Sequence, residues 1–580
     1  MNKNSTIMRV AKRLFASKGL IILATLLTIA QVALTVYLPI LIGQAVNQVV
    51  AINQVDFQEL LIILGQMIIV IAVNALVQLI NPLIYNRLIY RMIEDLRNEV
   101  LEKIHRIPLN YLDTHSTGAV VSRITTDTDQ LAAGLLMVFN QFLTGILTIV
   151  ITIVTMAQLD TQMMLIVVLL TPISIVIAHF VASRSYDLYT KQTQVRSTHS
   201  ELIEEAVQQS ELVRLFNQQD LKRVEFDEVN DIYSNYSKSA IFISSTVNPT
   251  TRFVNSVIYA LVTLVGAMRI ISGVFTVGEL TTFLNYANQY MKPFNDISNV
   301  LAELQSAIAS GDRIFELIDL VDEEETGVKE FGLNEVEGQI TFDDVAFSYV
   351  PEKELIRDLT VAVEPGQTVA IVGPTGAGKS TLINLLMRFY DVDSGAIFID
   401  GVNMNDFTRR SVREQFGMVL QETWLKTGSI AENIAYGYPN ASRDQIIEAA
   451  KRAHAHRFIE MLPDGYDTVL TDNGSNLSMG QRQLLSIARL FVQLPEMLIL
   501  DEATSSIDTR TEVLIQQAFD ELMVGRTTFI IAHRLSTIQN ADIILVMKEG
   551  QIVEQGNHEV LMRQEGFYYE MQMAGSGQSL

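Results

Sequence analysis

The stretch Ile371-Val372-Gly373-Pro374-Thr375-Gly376-Ala377-Gly378-Lys379-Ser380-Thr381 sets three glycines before a lysine and two hydroxyls. That spacing suits a phosphate. Glycines let backbone N–H groups approach phosphate oxygens, and Lys379 reaches the β- and γ-phosphates. Ser380 can hold Mg²⁺. A lone match could be only a glycine turn before a helix, so other parts must agree. Farther on, Met497-Leu498-Ile499-Leu500 runs into Asp501-Glu502. Asp501 is suited to organising Mg²⁺ and its water, and Glu502 to polarising an attacking water. Two carboxylates can also close a plain strand. Beside a phosphate loop, phosphoryl transfer uses both.

These residues need particular elements under them. Val369-Ala370-Ile371-Val372 is short, apolar and mostly β-branched, as a buried parallel strand should be. Leu382 to Met387 carries an apolar helix pattern. The order is strand, glycine turn, helix, and the helix amino terminus adds a dipole that favours anions.

The rest of the chain is of another kind. Its 580 residues have a mean hydropathy of +0.25 and are 49% hydrophobic. The apolar residues gather before residue 300, in runs long enough to cross a bilayer at about 20 residues each. Six spans are read at 20–48, 60–85, 131–157, 160–183, 243–271 and 276–300. The sixth is the most polar, with Asn285, Asn288, Gln289, Lys292, Asn295 and Asp296. It is either a helix end in the interface or a span facing water inside a bundle. Polar groups at membrane depth normally face a protein interior or cavity, which favours the second. The first apolar run is too long for a cleavable signal peptide and lacks a small-residue cleavage site. The chain has no cysteine, which excludes disulfides, thiol catalysis and cysteine metal sites. Its net charge of −23 argues against nucleic acid as a partner. Of that excess, 14 falls after residue 335 (33 acids against 19 bases) and reads as a solvated acidic surface.

Lys and Arg in the flanks set orientation. Residues 1–19 carry Lys3, Arg9, Lys12, Arg13 and Lys18 without an acid. Segments 86–130 and 184–240 are also rich in both, while 49–59, 158–159 and 272–275 contain neither. Arg269, near the last of these, is the mild exception. The amino terminus and both long connections are therefore expected in the cytoplasm, and six spans return the carboxyl terminus there. Structureless loops of such length are uncommon. Spans two to five are expected to continue as cytoplasmic helices, with 117–124 and 201–216 near the two turns. The acidic run Asp322-Glu323-Glu324-Glu325 reads as a linker, giving domains at 1–320 and 336–580 around a 321–335 connection.

Taken together, the chain resembles an ATP-binding-cassette (ABC) exporter with one six-span membrane domain fused to one cassette. The resemblance covers nearly the whole chain, and its motifs stand in the family's order. It implies a membrane α-helical bundle, six transmembrane helices with long cytoplasmic extensions, joined to an α/β P-loop cassette. It implies ATP and Mg²⁺ as cofactors. Tyr349 matches the aromatic that stacks on adenine. Gly373, Thr375, Gly376, Gly378, Lys379, Ser380 and Thr381 match the phosphate loop. Gln421 matches the glutamine that senses Mg²⁺ and faces the membrane domain. Asp501 and Glu502 match the metal aspartate and catalytic glutamate. Ser505-Ser506-Ile507-Asp508 resembles the loop that crosses to the other cassette, and His533 matches the γ-phosphate switch histidine.

Two stretches depart from that pattern. Leu477-Ser478-Met479-Gly480-Gln481 is similar to the signature Leu-Ser-Gly-Gly-Gln, with Met479 where glycine is usual. Leu470-Thr471-Asp472-Asn473-Gly474 stands where Val-Gly-Glu-x-Gly is common. In the family a signature serves the nucleotide of the partner subunit. Ser478, Gly480 and Gln481 remain, so binding should survive; either the substitution is tolerated or, as the backbone argument favours, the bulk and restricted backbone of Met479 impair hydrolysis. The resemblance then implies one half of a heterodimer, its partner carrying an intact signature and an altered catalytic glutamate. The implied activity is ATP-driven export of amphipathic, drug-like compounds across the cell membrane by alternating access. A lipid or peptide exporter is the nearest alternative. A gated channel or regulatory ATPase differs in class, and uphill movement in vesicles would distinguish pump from channel.

Overall fold

A computed structural model describes residues 3–50, 55–323, 327–331, 336–350, 353–420, 423–471, 473–501, 507–531 and 538–575. The chain divides into two compact units. One comprises Met1–His105 and Thr117–Leu320, the other Arg106–Ser116 and Val321–Leu580.

The first unit is helical. After α1 (Lys3–Leu14) come α2 (Lys18–Val50) and α3 (Phe57–Ile104). The short α4 (Leu109–Thr114) belongs to the second unit. The first unit resumes with α5 (Thr117–Ile124) and α6 (Thr126–Met137), which passes through a π-helical turn into α7 (Thr144–Leu159). Then follow α8 (Thr161–Gln208), α9 (Ser210–Leu215), α10 (Gln219–Ile271) and α11 (Val277–Ile318). Among the described residues, Thr6–Val49, Phe57–Ile104, Thr117–Leu159 and Gln219–Ile271 are long and apolar enough to cross a membrane, and Thr161–Ile173 is a shorter apolar stretch. Both α3 and α8 have 48 residues, about 72 Å at 1.5 Å per residue. That is roughly twice a bilayer's hydrocarbon thickness, so these helices do extend far beyond it.

The first turn lies just before 117–124, the segment expected near it. Pro108 cannot continue α3, and the reversal is made by α4, so Thr117–Ile124 is already a helix of the returning arm. The second turn contains α9, inside the expected 201–216.

Local signals fix the ends opposite these turns. Asp56 caps α3 by accepting from the N–H groups of Gln58 and Glu59, and Asp160 caps α8 in the same way. Thr276 and Glu279 form a capping box on α11. Arg269 lies 3.4 Å from Asp160. The one basic residue near an otherwise uncharged connection therefore has an acid beside it. Small residues bring helices into close contact. Gly43 on α2 faces Gly278 on α11, where a Cβ on either would strike the other's backbone. Asn47 Oδ1 accepts from the Gly278 N–H at 2.7 Å.

The second unit is the α/β cassette. Its central sheet orders as β12-β11-β3-β10-β9-β6, from β3 (Thr368–Val372), β6 (Phe416–Val419), β9 (Met497–Asp501), β10 (Thr527–Ile531), β11 (Ile543–Lys548) and β12 (Gln551–Gly556). All but β12 run parallel. An antiparallel sheet orders as β2-β1-β4-β5, from β1 (Ile340–Phe347), β2 (Ile356–Val363), β4 (Ser394–Ile399) and β5 (Val402–Asn403). A small pair joins β7 (Gly428–Ser429) to β8 (Val469–Leu470). The cassette helices used below are α12 (Lys379–Leu386), α13 (Arg409–Glu414), α14 (Ile430–Ile434), α15 (Arg443–Arg452), α16 (His456–Glu460), α17 (Met479–Val492) and α18 (Thr509–Met523). Leu382, Leu385 and Leu386 of α12 are buried with Ile371, Phe342 and Phe529 in one core. That packing fixes the phosphate loop between the sheets.

Candidate functional site

The parallel strands bring the expected catalytic segments to one edge. Ile531 pairs with Asp501 on one side and with Ile371 on the other. Val419 pairs with Leu500. The chain therefore leaves the carboxyl ends of β3, β6, β9 and β10 side by side, where open α/β sheets bind ligands. The phosphate loop leaves β3, Gln421 follows β6 closely, Glu502 follows Asp501 directly, and His533 lies two residues past β10. Gln421, Glu502 and His533 themselves lie outside the described residues, as do Ser505 and Ser506.

Backbone geometry explains the glycines of the loop. Gly373 has φ +155° and Gly378 φ +101°. A Cβ at Gly373 would strike the Met547 carbonyl oxygen, and one at Gly378 would come within 2.9 Å of the Ile356 side chain. Lys379 opens α12, so Lys379, Ser380 and Thr381 carry its first, intrahelically unpaired N–H groups. The Lys379 ammonium donates to the carbonyls of Gly373 and Pro374 at 2.8 and 3.0 Å. Burial pulls the lysine below its ordinary range, and the Asp501 charge opposes that shift. A glycine cradle, an open helix start and a cation near a carboxylate fit a magnesium nucleotide. No group of three or more acids, histidines or cysteines exists among the described residues to hold a metal without it. Ser380 and Asp501 would hold Mg²⁺, which usually keeps waters and phosphate oxygens as its other ligands.

Tyr349 is exposed, and its hydroxyl accepts from Asn384 Nδ2 of α12 at 3.0 Å. Its ring meets Tyr390 edge-on, with centroids 5.0 Å apart. Tyr390 in turn donates to Asp113 of α4. Burial, then this acceptor, push the Tyr390 phenol well above its ordinary range. The next residues tie down the linker. Asp391 binds Arg409, and Glu323 accepts from Arg413 at 3.0 Å with Arg409 at 3.7 Å. The Glu323 N–H donates to the Arg106 carbonyl at 2.6 Å. The sequence reading missed Tyr390, Asn384 and Asp113. Tyr390 and Asp113 are 277 positions apart, and neither lies in a motif whose spacing announces chemistry. Tyr390→Phe keeps the ring and removes the phenol donor. It should leave ATP binding within about twofold and lower substrate-stimulated turnover about three- to tenfold, the scale of one net hydrogen bond. Nucleotide titration beside stimulated ATPase assays checks this, and an equal fall in ATP affinity would contradict it.

The signature stretch forms the start of α17. Ser478 caps it by accepting from the Gln481 N–H, and Gln481 Oε1 accepts from the Ser478 N–H. The Ser478 hydroxyl proton stays available to a ligand. Gly480 is buried, and a Cβ there would strike Thr511 at the start of α18. Met479 is the first residue of α17 in ordinary helical geometry, so backbone restriction is not what it costs. What it places there is a half-buried side chain beside the open helix end. Among the described residues, no hydrogen bond joins Ser478, Gly480 or Gln481 to the phosphate loop. Asn473, in the other departing stretch, takes φ +58° and accepts from the Leu425 N–H at 2.6 Å.

Fold and site define a P-loop ATPase built onto a membrane-spanning helical unit. A family profile described as the ABC transporter transmembrane region matches residues 21–294, and one described as ABC transporter matches 356–505. The fatty acid ABC transporter ATP-binding/permease protein of Mycobacterium bovis is 44% identical over 83% of this chain and 76% of its own. A putative multidrug export ATP-binding/permease protein of Bacillus subtilis, YgaD, is 37% identical over 82% of this chain and 83% of its own. A bacterial Atm1-family ABC exporter, solved with ATP bound, superposes with a TM-score of 0.76 at 28% identity, over 97% of this chain and 99% of that one. The chain belongs to the ABC exporter family. It is a multi-pass membrane protein with a cytoplasmic ATPase domain, and it couples hydrolysis of ATP, bound with Mg²⁺, to transport.

Proposed function

We propose that the chain is one half of a heterodimeric exporter with two unequal ATP sites. The observation that carries this reading is Met479. Its side chain stands at the start of α17, where the family's signature offers glycine N–H groups to the γ-phosphate of a partner subunit. Asp501-Glu502 and His533 on this chain keep the residue types of a hydrolytic site. The partner's intact signature would complete that site, while Met479 would slow the partner's own. Under this reading Glu502, His533 and Gln421 act in hydrolysis. Tyr349, the phosphate loop and Asp501 hold Mg-ATP, and the amino terminus lies in the cytoplasm. Uncovered apolar side chains support a partner half. Leu212, Leu215 and Phe216 at α9 are exposed, as are Trp424 and Tyr436 of the cassette. Affinity purification from the native membrane tests the pairing. One co-purifying exporter half, with an intact signature and a substituted catalytic glutamate, is the expected result; a chain recovered only with itself would contradict it.

The substrate we infer is amphipathic and drug-like or lipid-like. Relatives named for fatty acid and for multidrug export support that range. The sixth span supports it too. Phe283, Tyr286, Tyr290 and Met291 of α11 are buried, whereas Asn288 and Lys292 lie uncovered one turn apart. A polar stripe at membrane depth belongs on a wet pathway. Asn295 and Asp296 have side chains outside the described ones. A single cysteine replacing Asn288 should react with a small water-soluble thiol reagent, at a rate that changes with nucleotide. Inertness in every nucleotide state would count against the pathway.

A further inference from the structure

The chain passes between its two units after His105, after Ser116 and after Leu320. Glu323 gathers the first and last of these passages within the second unit. Its N–H donates to the carbonyl of Arg106, the first residue past the α3 passage, at 2.6 Å. Its carboxylate accepts from Arg413 of α13 at 3.0 and 3.4 Å and lies 3.7 Å from Arg409. The chain distances to the membrane-spanning unit are short. Helix α11 ends at Ile318, before Glu323, and α3 ends at Ile104, before Arg106.

The two arginines lead toward the ATP site. Arg413 donates to the carbonyls of Met387 and Arg388 at 3.3 and 2.9 Å, and Arg409 donates to the Arg388 carbonyl at 2.8 Å. Met387 is the C-cap of α12, and Arg388 follows it in left-handed geometry, with φ +50°. The guanidiniums thus take carbonyls at the carboxyl end of α12, which no later turn of helix can satisfy. The other end of α12 is Lys379-Ser380-Thr381, about 12 Å away at 1.5 Å per residue. A helix this short moves as one piece. Attachment of the linker does not require Glu323. The Val328 and Lys329 N–H groups donate to the Asp406 carbonyl at 3.0 Å, and Phe331 stacks on Phe407 with ring centroids 3.8 Å apart. Nor is this a freely solvated pair. The side chains of Glu323 and Arg409 are 24% and 5% exposed, so their attraction is screened less than that of a surface salt bridge.

We propose that Glu323 is a positioning residue for coupled ATP hydrolysis, the clasp through which displacement of α11 and α3 reaches α12 and the phosphate loop. Coupling is reciprocal, so nucleotide bound at the loop must act on α11 and α3 through the same clasp.

Hydrogen exchange on the purified full-length exporter, with and without Mg-ATP and vanadate, reads this in the nucleotide-to-membrane direction. In the unmodified protein, nucleotide should change exchange over 300–318 of α11 and 92–104 of α3. Glu323→Ala should reduce that change about three- to tenfold, the scale of one charge-assisted hydrogen bond. ATP affinity and basal turnover should stay within about twofold. Glu323→Gln keeps the length and an acceptor for Arg413, and should restore part of the response. Lys329→Ala loosens the linker downstream of the clasp and should leave the response intact. A full response in Glu323→Ala would overturn the proposal. So would an equal loss in Lys329→Ala, which would assign the effect to linker attachment. A parallel fall of ATP affinity and response in Glu323→Ala would also overturn it, by making Glu323 a support of the cassette alone.

Discussion

Glu502→Gln should lower ATP turnover of the assembled exporter by about 10²-fold or more while ATP remains bound. The change is nearly isosteric and, under the proposed assignment, removes only the group that polarises the attacking water. General-base catalysis contributes about 10²–10⁴-fold in rate. In that assignment the nucleotide is held by other parts, the glycine cradle, Lys379 and Tyr349, and none of these changes. Assays of phosphate release beside direct nucleotide-binding measurements separate the two effects. Near-normal turnover would place the main hydrolytic site elsewhere.

Lys379→Ala should fail in the opposite way, by losing the nucleotide. In the structure the ammonium rests on the Gly373 and Pro374 carbonyls, inside the loop it would use to reach a phosphate. Charge-assisted hydrogen bonds are worth about 1.5–3 kcal/mol each, so ATP affinity should fall roughly 10–100-fold. Turnover should fall to background even with saturating ATP, because the same cation meets charge developing on the transferred phosphoryl group. Equilibrium binding with a fluorescent ATP analogue reads the first effect. Unchanged affinity would mean that the backbone cradle alone holds the phosphates.

The two residues also show what the sequence disclosed and why. The phosphate loop was legible because its chemistry is local. Three glycines, a lysine and two hydroxyls must be adjacent in the chain to wrap one phosphate. Asp501 was legible for a related reason, since a buried apolar strand ending in acids is itself a local pattern. The long helices were legible from apolar runs and caps. The neighbourhood of the first turn was legible too, while its exact place, at the short helix after Pro108, was not. Contacts between distant residues left no trace. Nothing near Tyr390 announces Asp113, and nothing in the acidic linker announces that Glu323 meets Arg413. Met479 was recognised as a departure, but the reason given for its effect needed the structure. Its backbone is ordinary helix, so under the proposed reading the bulk of its side chain at the start of α17 is what would impair hydrolysis.

The heterodimer reading rests on that bulk, and ATP hydrolysis by this chain purified without any other exporter half tests it most directly. A homodimer would place Met479 against both of its nucleotides and Glu502 in both of its sites. The unmodified chain should show little turnover, with a clear rise on Met479→Gly, since both sites would then have a small signature residue and a catalytic carboxylate. Robust turnover by the unmodified homodimer, unaltered by Met479→Gly, would contradict it.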